Sequence, residues 1–449
     1  MTEDTNWTDA QAALDHQAKQ DLIVMLGLHP DDVSFVEPSE QPSARQPRRD
    51  RHAPSSKEIP LPQLAATPAR ALRLWRSSAF EPREMRFIAA YSKALGDLAQ
   101  TPETFRAVVL RSLTSTAIAR VLSDEVGETP RDRDVDRHVP AFTTILDFLR
   151  EVAISTYEGQ PIHTNVVIGT DGKPGDHSIL LDHYQDRGAY PWYPALGASR
   201  STAICVDKFA RVTGIEDLNE PTLHPDNAAW YPAELARLAA YSRVHRTPAF
   251  SIQHSGDIAV LISGELTYAF RRGSWRAFPR ASLSTRRLAY PGVNDAILEA
   301  LVDASFNRHG ATIAIVEQAR LPDFEEACRL EPALVQPKNR WDLEPAEHRD
   351  VRARLIARGS RSVKFHELSR DRRLELLNMD GATIVLSDGT LIAAGAIVSV
   401  PGGGGGGRRA AAQRLSHYGS AFKVSQDGAI ELFRAGGNNA PSKPVVTLG

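Results

Sequence analysis

Two short stretches of this chain carry side chains that could do chemistry together. Asp380-Gly381-Ala382 sets a carboxylate beside a glycine at the head of an apolar run. Further on, the six glycines Gly402 to Gly407 run directly into Arg408 and Arg409. Glycines let backbone N–H groups approach a ligand closely, and a helix N-terminus offers unpaired donors and a partial positive charge. Guanidinium forks match phosphate oxygens. The chemistry these residues suit is therefore phosphate binding. A mobile surface loop or linker fits the glycines as well, and no Lys-Ser/Thr follows them as a Walker loop requires. With phosphates present, Asp380 could hold Mg²⁺ or Mn²⁺ between its carboxylate and their oxygens, although Asp-Gly alone is also an ordinary turn.

The neighbouring periodicities decide which elements must position these groups. DGATIVLSDGTLIAAGAIVSV (380–400) reads as strand, turn, strand, and the segment after the glycines reads as a helix through Tyr418 closing on Gly419. SAFKVSQDGAIELFRAGG (420–437) reads as a hairpin turning at Asp427-Gly428. Upstream, VNDAILEALVDASFNRHG (293–310) predicts an amphipathic helix ending on a C-cap glycine, followed by the strand ATIAIVE (311–317). Helices are also predicted over 344–359 and 369–379. The glycine run thus joins a strand to a helix inside a mixed α/β layer, which favours a phosphate-facing loop over a linker.

The rest of the chain supplies context rather than chemistry. Residues 5–28 predict one helix, and the Pro-, Ser-, Gln- and Arg-rich stretch 31–60 reads as a disordered linker. Its Arg45, Arg48, Arg49 and Arg51 could touch an acidic partner, or simply be solvated. Residues 62–157 read as helical, with a start at Thr101-Pro102-Glu103-Thr104. Strands are predicted at 165–172 and 201–210, a helix at 232–245 and a β-meander at 248–278. His177 and His183 are six apart, a spacing that favours a surface loop over a metal site. The domain reading is 1–60 helix and linker, 61–245 a helical/α+β domain, 246–437 the α/β domain and 438–449 a flexible tail. The fold class expected is α/β, a helix-rich α+β region followed by a mixed sheet flanked by helices.

Composition narrows the function classes. A net charge of −2 over 449 residues carries no strong nucleic-acid signal. No apolar run reaches the roughly 18 residues of a membrane span. The acidic, polar N-terminus is unlike a secretory signal. Two cysteines, Cys205 and Cys328, cannot build a disulfide framework, and Cys205 in TAICV reads as a buried thiol. A cytoplasmic location is the expectation.

The order HGATIAIVE, then LLNMDGATIVLSDGTLIAAGAIVSV, then GGGRRAAAQRLSHYGSAFKVSQDGAIEL resembles the diadenylate cyclase (DAC) domain of DNA-integrity scanning proteins, over residues 290–435. The resemblance implies nucleotide binding by Asp380, Gly381, Ala382, Gly405, Gly406, Gly407, Arg408 and Arg409, with Asp380 as the metal ligand and, in a cyclase, a catalytic residue. It also implies two domains meeting face to face, each holding one ATP, so a homodimer is possible. Arg409 falls on the last arginine of the family's Thr-Arg-His-Arg, but Gly406, Gly407 and Arg408 stand where the family has threonine, arginine and histidine. Such losses suit a non-cyclising DAC-like sensor of a nucleotide or cyclic dinucleotide that signals through a protein partner. An active cyclase making c-di-AMP and an interaction scaffold with a vestigial pocket are the alternatives.

Overall fold

The computed structural model describes residues 3–38, 55–63, 69–101, 103–126, 137–157, 159–169, 179–180, 199–219, 230–283, 291–327, 330–331, 363–398, 407–434 and 443–449. The chain divides into two compact units, one of Met1–Pro225 with Glu234–Ser282 and one of Asp226–Ala233 with Leu283–Gly449.

Unit 1 begins with helix α1 (Glu3–Leu26) and strands β1 (Val33–Val36), β2 (Ser55–Pro60) and β3 (Ala71–Arg76). The strands form an antiparallel sheet in the order β1-β3-β2. Helices α2 (Pro82–Gln100), α3 (Glu103–Val126) and α4 (Val139–Ala153) follow. After the short pair β4 (Thr156–Tyr157) and β5 (Gln160–Pro161) come β6 (Thr164–Ile168), β7 (Ile179–Leu180), β8 (Thr202–Val206) and β9 (Val212–Asp217). Helix α5 (Ala236–His245) leads to β10 (Ala249–Ile252), β11 (Ile258–Ile262), β12 (Glu265–Arg271) and β13 (Ser274–Ala277). The second sheet has eight strands in the order β13-β12-β11-β10-β6-β8-β9-β7. Alternate residues of one face, Val166, Ile168, Phe250, Ile252, Ile258 and Val260, are buried in the same core as Leu14 and Leu22 of α1, Phe87 of α2, Leu122 of α3 and Phe142 of α4. Helix α1 is thus a core element of this unit.

Three sequence expectations change here. The stretch 31–60 is not a disordered linker where it is described, because β1 and β2 pair on either side of β3. Ile59 lies opposite Leu72, both about fully buried at 1% and 0% exposure, while Glu58 turns outward to Arg73 at 2.9 Å. That alternation was hidden by the polar composition. Residues 39–54, with the arginines from Arg45 to Arg51, lie outside the described residues. ALRLWR, read as helical, is β3, since Leu72, Leu74 and Arg76 point inward at a spacing of two. The meander 248–278 forms as expected, but β10 pairs with β6 (Phe250 with Val166), so these strands belong to unit 1 and not with the segment that follows them. His177, His183 and Cys328 lie outside the described residues; Cys205 is buried, as read.

Unit 2 contains α6 (Pro291–Phe306), β14 (Ala311–Val316), α7 (Leu321–Ala327), β15 (Leu330–Glu331), α8 (Arg370–Leu377), β16 (Ala382–Leu386), β17 (Leu391–Val398), α9 (Gly407–Leu415), β18 (Gly419–Val424), β19 (Ile430–Arg434) and β20 (Val446–Leu448). Its seven-stranded sheet has the order β15-β17-β16-β14-β18-β19-β20, with β14 and β16 parallel and their outer neighbours antiparallel. Ala314, Val316, Ile384 and Leu386 share one apolar core with Phe324 of α7 and Ala411, Ala412 and Leu415 of α9. Helices α6 and α8 pack on the strands as well, and α8 receives a hydrogen bond at the Leu376 carbonyl from Thr383 Oγ1 at 3.3 Å. The protein is an α/β fold of mixed sheets flanked by helices. The tail 438–449, read as flexible, ends in β20, where Val446 and Leu448 pair with Leu432 and Ile430. The helix expected at 344–359 lies outside the described residues.

A buried ionic clamp ties α6 to α8. Both oxygens of Asp303 accept from Arg370, at 2.6 and 2.8 Å, and the Ala233 N–H adds a third bond at 2.8 Å. Arg370 also donates to the Tyr231 carbonyl and lies over the Tyr231 ring, so residues 231–233 are drawn to the same clamp. One turn away, Arg373 donates to Glu299 at 2.6 Å.

Candidate functional site

The parallel pairing of β14 and β16, with Thr312 opposite Ala382, brings the N-terminal ends of both strands side by side. Strand β17 runs antiparallel to β16, with Ala396 opposite Ala382, so the end that leads into the glycine run lies at the same edge. Three separate sequence motifs therefore converge: His309-Gly310-Ala311, Asp380-Gly381-Ala382 and Gly407-Arg408-Arg409.

At this edge Asp380 occupies the bend between α8 and β16 and exposes 86% of its side chain. Gly407 opens α9, which puts Arg408 and Arg409 in the first helical turn, both half-buried. One guanidinium nitrogen of Arg408 stands 4.0 Å from an Asp380 carboxylate oxygen, the outer limit of an ion pair. A pair this exposed is worth little in water. Gly310 leaves room for Arg408: a Cβ built there would fall 2.5 Å from Nη1 and 3.0 Å from Cζ. The guanidinium fills the space that a side chain at Gly310 would take. The sequence reading made Gly310 a helix cap, but α6 stops at Phe306 and the chain reverses at Arg308, whose φ is +57°. The glycine of His-Gly-Ala was visible in the sequence, but the room it leaves for Arg408 could not be read from it.

Gly381 is the second constrained position, with φ at +108° and an ideal Cβ 2.5 Å from the Gly395 carbonyl carbon. Gly395 lies where the β16–β17 register slips, a bulge that presses β17 against the Asp380 bend. Ala382 buries its methyl in the sheet core, leaving backbone alone for the site. Gly405 and Gly406 lie outside the described residues.

Chemically, the edge offers the first turn of a nine-residue helix, an arginine in the space left by a glycine, and one exposed carboxylate. Among the described residues, no group of three or more His, Cys, Asp or Glu is placed to hold a metal ion. A divalent cation fits this donor set only if phosphate oxygens and water complete its shell around Asp380, the usual arrangement for Mg²⁺. No helix among the described residues is long and apolar enough to cross a membrane.

The hairpin from β16 to β17 is held by its own ionic lock. Lys364 Nζ lies 2.6 Å from Asp388 and 2.6 Å from Thr390 Oγ1. Burial pushes the Asp388 carboxyl up, but the Lys364 ammonium and the Thr390 N–H and hydroxyl outweigh it and hold the carboxyl below the usual carboxylate range. Because the folded value is depressed, this contribution is present above the unfolded carboxylate pKa and disappears as pH falls through the folded one. Asp388→Asn is expected to cost about 0.5 kcal/mol at neutral pH, given the pair's exposure, and nothing in acid. Urea unfolding of both proteins at the two pH values checks this.

No family model matches the chain, and no curated protein matches it either.

Proposed function

We propose that unit 2 is a nucleotide-binding sensor domain, DAC-like in its motifs, which recognises a nucleotide or cyclic dinucleotide in the cytoplasm and signals through a protein partner. The observation that carries this reading is the position of Arg408: in the first turn of α9, in the space left by Gly310 and 4.0 Å from Asp380. That arrangement supports phosphate recognition by the helix N-terminus and a guanidinium fork. Mg²⁺ or Mn²⁺, if bound with the phosphates, would be held by Asp380 and would neutralise their charge. Arg408 and Arg409 would orient the phosphates, and Gly310 would leave room for Arg408.

The test is calorimetric titration of the purified protein with ATP, c-di-AMP and related nucleotides, with and without Mg²⁺ or Mn²⁺. Saturable binding of at least one nucleotide is expected. Absence of heat with every nucleotide would leave the interaction scaffold and remove the sensor.

Retention of Asp380-Gly381-Ala382 together with Arg409 favours a second reading, an active diadenylate cyclase working as a homodimer. Its chemistry depends on positioning and charge stabilisation, in which each lost donor costs orders of magnitude. Incubation with ATP and Mn²⁺ separates the two readings. The sensor returns ATP unchanged, whereas a cyclase forms c-di-AMP and loses that activity in Asp380→Asn.

A further inference from the structure

Unit 1 contains a half-open cleft of about 200 Å³ at the junction of α1, α3, α4 and the β12–β13 hairpin. Its walls bring unlike charges and aromatic surface into one space: Asp21 and Gln17 from α1, Ser115 from α3, Arg150 from α4, and Phe270 with Trp275 from the hairpin. None of these residues takes part in the edge of unit 2 described above.

The two charged groups are prepared differently. Asp21 accepts from Tyr91 Oη at 2.8 Å, from Gln17 Nε2 at 2.6 Å and from the Thr114 hydroxyl, the last two residues themselves lining the cleft. Burial is the main influence on its carboxyl and raises the pKa, against the lowering effect of those bonds. Burial outweighs these three donors, so a cation in the cleft would stabilise the charged form of the carboxylate. Arg150 lies over the face of Phe270 at 5.1 Å and meets Asp147 only at 3.5 Å, in an exposed pair. Such a pair competes weakly with an incoming anion. The aromatic wall is rigid, because Trp275 packs on Phe270 with centroids 5.2 Å apart and its indole N–H donates to Ser115 Oγ at 3.0 Å.

We infer that this cleft binds an amino-acid-sized zwitterion, its ammonium at Asp21, its carboxylate at Arg150 and its body against Phe270 and Trp275. A lone anion would meet Asp21 without compensation, and a lone cation would meet Arg150. The volume suits a small molecule and is well below the roughly 300–1,000 Å³ of drug-sized ligand pockets. A second input, of a ligand class unrelated to nucleotides, would then enter the protein at unit 1.

The experiment uses the full chain. Thermal-shift screening of the free L-amino acids comes first, with 1,5-diaminopentane as the amine-only probe and hexanoate as the carboxylate-only probe, and calorimetry on the strongest binder follows. At least one amino acid is expected to bind, at least tenfold tighter than either single-charge probe. Asp21→Asn and Arg150→Met should each weaken that binding tenfold or more, the loss of one charge-assisted hydrogen bond. Arg150 is the informative variant if Asp21→Asn loosens the fold, because its head group is partly exposed and methionine keeps the contact with Phe270. No amino acid binding at millimolar concentration would overturn the inference. So would binding indifferent to Arg150→Met, or a diamine that binds as tightly as the amino acid.

Discussion

Arg370→Ala is expected to destabilise the protein by about 3–5 kcal/mol, the cost of stripping one partner from a buried ion pair. The residue left behind decides the size. Asp303 is 1% exposed, and without Arg370 it keeps the Ala233 N–H at 2.8 Å and the more distant charge of Arg373. Burial already raises the Asp303 carboxyl above its ordinary value, more than Arg370 lowers it. Asp303→Asn should therefore cost less. It removes the charge that burial penalises and leaves a guanidinium that is 20% exposed and can reach water. The pH dependence has a definite sign. With its folded pKa raised, Asp303 favours the fold below the ordinary carboxylate range, and that contribution is lost as pH rises through the raised value. Asp303→Asn should flatten this part of the stability profile. Urea unfolding of the three proteins across acid and neutral pH checks both claims. Equal losses in the two variants would contradict the desolvation argument.

Gly381→Ala is the second large effect, and it falls on the site itself. At φ of +108° a side chain costs about 1–3 kcal/mol in backbone strain. The added Cβ would also stand 2.5 Å from Gly395 C, 2.6 Å from Gly395 O and 2.7 Å from Ala396 O. All three are backbone atoms of a paired strand and cannot swing aside, so overpacking adds about 1–3 kcal/mol more. The nearest relief is to push the Asp380 bend away from β17, which also moves the carboxylate from Arg408. Stability and nucleotide affinity should fall together. Gly407→Ala is the matching control, because a Cβ there meets nothing within 4 Å at the start of α9. It should leave stability within about 0.5 kcal/mol of the parent, as surface substitutions do.

How much could be read beforehand depended on whether a feature was local. The strands at 311–316, 382–386 and 391–398 and the helix after the glycines were legible, because their apolar runs are bounded by Asp-Gly, Ser-Asp-Gly and the glycines themselves. ALRLWR was ambiguous: in six residues Ala71 and Leu74, and Leu72 and Trp75, stand at the three-residue spacing of a helix while Leu72 and Leu74 stand at the two-residue spacing of a strand, and only pairing with Val33 and Ile59 settles it. SSKEIP has a single large apolar side chain, Ile59, and looked like linker until its register with β3 was known. The meander at 249–277 was legible as strands, but its membership in a sheet with β6 was not, since period carries no information about partners far along the chain. The site shows the same division. Asp380, Arg408 and Arg409 were singled out from residue type and motif order, and the fold brings Asp380 within 4.0 Å of Arg408, while Gly310 was assigned to a helix cap. The space it leaves for Arg408 exists only in three dimensions. The clamp of Asp303 with Arg370 was illegible for the same reason, because each is one charge among many on its own helix.

That Arg408 and Arg409, at the opening of α9, hold the phosphates of a nucleotide is our proposal for unit 2. Its most direct test is calorimetric titration of ATP and c-di-AMP into the parent protein and into Arg408→Ala combined with Arg409→Ala, in Mg²⁺. A bidentate arginine–phosphate contact is worth about 1.5–3 kcal/mol, so the double variant should bind at least tenfold more weakly while its unfolding curve stays unchanged. Equal affinity of the two proteins for every nucleotide would contradict the account.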